Sequence, residues 1–195
     1  MPVSLEWKNK VEPESIAVNL KLGPITVSKT WKPHDKEREA AWEMYVELVT
    51  RISVQELHKD EGLLREALTS LHSLFQTTRD ILREYGPIIG RPKETGDTCF
   101  GFIALSVLNQ SLRPLLAKWH PLLQDYEDTR GAAMSRVEHE RKWDLNEDLR
   151  KAMNEIRVIL GNYASLLAEA AEVPSIHKIQ EKKEGDPSRE GGFPE

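Results

Sequence analysis

TCFGFIALSVLNQSLRPLLAKW, residues 98–119, is the stretch whose reading decides the fold. From Thr98 to Leu112 it carries no charge. Projected at about 100° per residue, Leu105, Leu108, Leu112, Leu115, Leu116 and Trp119 share one broad face. Phe100, Ile103 and Val107 widen that apolar surface. A helix that is apolar over most of its circumference is covered on most sides. The pattern predicts a central helix over residues 98–119, bent at Pro114. Its uncharged part is shorter than the ~20 apolar residues of a membrane span and contains Ser106, Asn109 and Gln110.

Working outward, the preceding helix has the clearest amphipathic pattern in the chain. Leu64, Ala67, Leu68, Leu71, Leu74, Phe75, Ile81, Leu82 and Tyr85 recur at helical spacing, and Gly86-Pro87 stops them. Before it, Asp35 is an expected N-cap for a helix carrying Ala41, Tyr45, Leu48, Val49 and Ile52. Ser53 and Glu56 have capping-box spacing and predict a short further piece leading to Gly62. After the central helix, His120-Pro121 opens a short turn reaching Tyr126. Ser135 and Glu138 form a second capping box, opening a long helix that runs to Pro174. Its stripe is Leu145, Leu149, Ala152, Ile156, Ile159, Tyr163, Leu166, Leu167 and Ala170. At about 1.5 Å per residue it would reach about 55 Å and overhang its neighbours.

The first 33 residues read as strands. Ile16, Val18, Leu20 and Leu22 alternate before Gly23-Pro24, and Ile25 and Val27 alternate after it, which is the pattern of a hairpin. Val3, Leu5 and Trp7 could supply a third short strand. The organisation expected is a hairpin over 1–33, a helical bundle over 34–173 and a polar, disordered tail over 174–195. The fold class is mainly α, an antiparallel four-helix bundle with an N-terminal β-hairpin.

At 195 residues the chain can bury one real core. A net charge of −5 without a run of Lys or Arg argues against nucleic acid as a partner, because that affinity comes from neutralising phosphates. Cys99 is the single cysteine, so no internal disulfide forms. The N-terminus lacks the basic start and apolar core of a secretion signal, and the expected location is cytoplasmic. No cofactor or metal is expected. The bundle lacks the Glu-x-x-His pairs of di-metal proteins, His139-Glu140 is not followed by a histidine at zinc-protease spacing, and phosphate-loop glycines are missing. Cys99 beside Phe100 reads as a small core residue.

Three features bear on function. A polar strip of Ser106, Asn109 and Arg113 on the central helix, continued by Trp119-His120, is a candidate ligand site: Arg113 would pair with an acidic group and Asn109 would orient it. Trp143 projects away from the stripe of its own helix and is a candidate interface anchor. Phe100, Ile103 and Val107 are candidate interface residues because the central helix has more apolar surface than a simple bundle covers. The first reading is a non-catalytic interaction protein, acting as a homo-oligomer or with a protein partner in a larger assembly. The alternative is a ligand-sensing bundle that binds a small anionic molecule; the idea of an accessory protein in a bacterial signalling or defence system is a general prior. An enzyme comes third, since no nucleophile is matched with a base.

Overall fold

The computed structural model describes residues 15–51 and 62–176. The expected third strand at Val3, Leu5 and Trp7, the capping box of Ser53 and Glu56, and the tail from 177 lie outside the described residues. The described chain is mainly helical, with a two-stranded antiparallel hairpin at its start and five helices, one more than expected.

Strands β1 (Ile16–Leu22) and β2 (Ile25–Trp31) pair from Leu22 opposite Ile25 to Ile16 opposite Trp31. A two-residue connection needs a positive φ at its first position, and Gly23 supplies φ +68. Ile16, Val18, Leu20 and Leu22 are all buried, joined by Val27 and Trp31 from β2. Ile25, at the turn, and Lys29, opposite Val18, are the exposed residues on that side. This face packs over the last long helix and the middle of the central one.

Helix α1 (Asp35–Val49) starts one residue earlier than expected, with His34 rather than Asp35 as its cap. Glu37 reaches back to accept from His34 N at 3.2 Å. The same carboxylate is buried and accepts from Trp31 Nε1 at 3.1 Å and from Phe100 N at 2.7 Å. One acidic side chain thus ties the end of β2, the start of α1 and the start of the central helix.

Helix α2 (Leu64–Tyr85) ends at Gly86, which takes φ +67, and a 3-10 turn over Gly86–Gly90 follows. The helices run antiparallel in sequence order. Arg51, just past α1, donates to Ser70 O and Thr77 Oγ1, while Tyr85 at the far end of α2 donates to Glu43. Likewise Arg65 pairs with Glu127, while a Cβ on Gly101 would stand 3.5 Å from Leu82.

Helix α3 (Phe100–Glu127) is longer than predicted and runs through both Pro114 and Pro121. Its middle, Val107–Leu112, is a π turn. The reason is in the burial pattern: Ile103-Ala104, Val107-Leu108, Ser111-Leu112 and Leu115-Leu116 are buried pairs repeating every four residues. A straight α-helix drifts about 40° at each such step. A π turn, closing i→i+5 bonds, advances only about 80° per residue and absorbs the excess. The same shift rotates Leu105 off the predicted apolar face, leaving it 45% exposed.

Among the described residues α3 is the one helix long and apolar enough to cross a membrane, and 56% of that window is buried inside the fold. What covers it belongs to the same chain. Phe100, Ile103 and Val107, expected at an interface, are at most 2% exposed, enclosed by the hairpin and the other helices. They are core residues.

The last predicted helix is split into α4 (Arg136–Arg141) and α5 (Asn146–Ala170). The capping box forms as expected, with Ser135 Oγ accepting from Glu138 N at 3.1 Å. The break follows because Asn146 Nδ2 takes Glu140 O at 2.9 Å, the carbonyl that an unbroken helix would offer to Asp144. The reversal turns Trp143 inward, against expectation. Its ring stacks on Tyr126 at 5.6 Å and meets Trp119 edge-on at 6.2 Å. With 25 residues, α5 is about 37 Å long and does not overhang. Arg38 closes its C-terminus by donating to Ala170 O at 3.0 Å and pairing with Glu172.

Candidate functional site

The seam between α2 and α3 holds two cavities separated by one side-chain contact. Arg65 forks onto Glu127, with Nε at 2.9 Å and Nη2 at 2.6 Å from Oε2, and its Nη1 lies 3.0 Å from His120 Nδ1. An arginine only donates. His120 Nδ1 is therefore the acceptor, and the neutral ring carries its proton on Nε2.

On one side of this contact lies a cavity of about 350 Å³ among α2, α3 and α4. Its walls are mixed in charge and largely satisfied internally. His139 stacks on Tyr126 at 4.1 Å and bonds Tyr126 O at 2.9 Å, and Arg130 donates to Met134 O at 2.6 Å. Glu140 caps α2 by accepting from Leu64 N at 2.9 Å. Burial pushes its carboxyl pKa up, against the pull of that amide and of Arg150. This cavity reads as a structural knot.

On the other side lies a shallower cavity of about 290 Å³. Its polar walls are His72 and Arg79 from α2 and Arg113 and His120 from α3. No carboxylate lines it among the described residues. Phe75 forms the floor, with the Arg113 guanidinium carbon 5.5 Å and that of Arg79 6.0 Å from its ring centre. Cation–π contact and chain packing hold both cations in place, at a modest gain for exposed sites. Arg113 Nε donates to Asn109 Oδ1 at 3.0 Å, and the nearest hydrogen-bonding group for Arg79 is Gln76 Oε1 at 3.5 Å.

His72 and His120 meet edge-on at 5.8 Å. The Nε2 of His120 is buried and has no hydrogen-bond partner. Burial first, then the charge of Arg65 and the neighbouring His72 ring, hold the His120 pKa below its ordinary value near 6.5. For a base lowered in this way, the stabilising contribution is present above the ordinary value and lost as pH falls through the folded one. An NMR pH titration should accordingly give His120 a midpoint below that of a free histidine. A midpoint above 6.5 would contradict the Arg65 contact.

Of the five residues expected to form a ligand site, Arg113 and His120 line this cavity, and Asn109 holds Arg113. Ser106 instead turns back to Phe102 O at 2.7 Å, and Trp119 is buried against Trp143. The contribution of α2 went unforeseen. Its signal is the i, i+3, i+7 spacing of His72, Phe75 and Arg79, matching Arg113, Ala117 and His120 at i, i+4, i+7 on the facing helix.

Other chemistry finds little footing. Cys99 is buried, which raises its thiol pKa and leaves it a poor nucleophile. Among the described residues no three His, Cys, Asp or Glu side chains gather to hold a metal ion. Compared with known proteins, the chain matches no family model, no curated protein and no solved structure.

Proposed function

We propose that the chain is a non-catalytic binding protein that holds a small anionic molecule in the α2–α3 groove. One observation carries this reading: two guanidiniums and two imidazoles converge on a cavity whose lining, among the described residues, includes no carboxylate. Charged surface side chains are ordinarily interspersed with the opposite sign. A cavity furnished by one sign alone raises the local concentration of its counter-ion. Its volume of about 290 Å³ sits at the small end for ligand sites. The supporting test is thermal stability across a panel of small anions. An anion that binds the folded state raises Tm by an amount that grows with the logarithm of its concentration relative to Kd, and the rise should shrink in Arg113→Ala. No shift with any anion would remove the reading.

A second reading keeps a protein partner or a homo-oligomer. The features first taken to support it, the surface of α3 and the outward Trp143, are accounted for within the chain. What supports it now is the exposure of Phe102 at 46% and Leu105 at 45%, near the start of α3. Light scattering on the purified chain tests the oligomer, and a monomer unchanged by Leu105→Asp would count against self-association.

A further inference from the structure

We propose that the ligand of the α2–α3 groove is a phosphate monoester with a small organic body, gripped by Arg79, Arg113 and the Nε2–H of His120. This rests on the anion-binding reading and narrows it.

The argument is a count of donors. Arg113 spends Nε on Asn109, which leaves both terminal nitrogens for a ligand. Arg79 lies over the Phe75 ring and makes only a 3.5 Å hydrogen bond with Gln76, so its fork is also available. The third donor is less common. Because Arg65 occupies Nδ1 of His120, the ring proton sits on Nε2, and that buried atom has no acceptor among the described residues. A buried donor left unanswered is costly, and an oxygen brought by a ligand would satisfy it. Exposed His72 stands edge-on against His120 and lines the same cavity.

A carboxylate does not fit this set. Its acceptor lone pairs are confined to one plane and it carries a single charge, so it matches two forks and an imidazole N–H from two helices less well than a tetrahedral dianion. A phosphate monoester presents three terminal oxygens spread tetrahedrally and carries about −1.5 to −2 charge near pH 7. Two forks and one N–H match those three oxygens. The lining offers no carboxylate to repel the second negative charge. The remaining space, bordered by Leu116 and Ala117, suits a small organic group rather than a polymer.

The test titrates the full chain at constant ionic strength near pH 7, following the histidine ring signals by NMR. The probes are inorganic phosphate, glycerol phosphate, succinate and acetate. Both phosphates should bind about tenfold or more tightly than either carboxylate and should shift His120. Arg79→Ala and Arg113→Ala, at exposed positions, should each weaken phosphate binding about tenfold with circular dichroism unchanged. Arg113→Lys keeps the charge and loses the fork, so it should also bind weakly. Succinate binding as tightly as phosphate would overturn the phosphate assignment and leave the anion reading standing. Undiminished phosphate binding by Arg113→Lys would overturn the forked grip. No response to any of the four probes would sink both readings.

Discussion

Replacing Glu37 by alanine should cost the fold about 2–6 kcal/mol, the sum for two buried donors left without an acceptor. Its carboxylate is 1% exposed and answers three donors on three elements: Trp31 Nε1, Phe100 N and His34 N. In Glu37→Ala the indole N–H and the first amide of α3 stay buried with no acceptor, at about 1–3 kcal/mol each. Glu37→Gln keeps one carbonyl oxygen and the side-chain volume, so it should lose about half as much. Equilibrium denaturation with urea reads both values. A Glu37→Ala variant within about 0.5 kcal/mol of the parent, the ordinary range for surface changes, would show that these bonds do not hold the three elements together.

Trp143→Ala is expected to cost about 3–5 kcal/mol, the range for emptying a buried tryptophan site. The ring is 8% exposed and lies against both Tyr126 and Trp119. An interface anchor on a free monomer would behave differently, since exposed side chains typically change stability by less than about 0.5 kcal/mol. Trp42, 48% exposed on α1, provides that comparison within the same molecule. Denaturation of the two alanine variants side by side separates the cases. Equal, small losses would mean that Trp143 does not pack as described.

These two residues mark where the sequence is legible. The hairpin and α2 could be read because their burial follows the plain periods of strand and helix, and because Gly23 and Gly86 stand where positive φ is required. The split between α4 and α5 could not be read. Residues 142–145 contain no glycine or proline, and the break is made by Asn146 capturing Glu140 O while Trp143 finds two aromatic partners. Both are tertiary events. Glu37 was missed for the same reason: nothing within α1 shows that donors from β2 and α3 will converge on it.

The site divides along the same line. Arg113, Asn109 and His120 stood out on α3 because a polar strip on a greasy helix is visible in one dimension. Their complement on α2 depended on which helices face each other and in what register. The paired 65–127 and 75–113 contacts record that register, and a single helix does not contain it.

The π turn has a genealogical consequence. It houses about one residue more than a regular helix needs to join its two halves, and Asn109 and Gln110 within it are both exposed. A homologous chain shorter by one residue between Val107 and Leu112 would still present the same inner and outer surfaces on either side. Such a chain would align with this one through a single gap there.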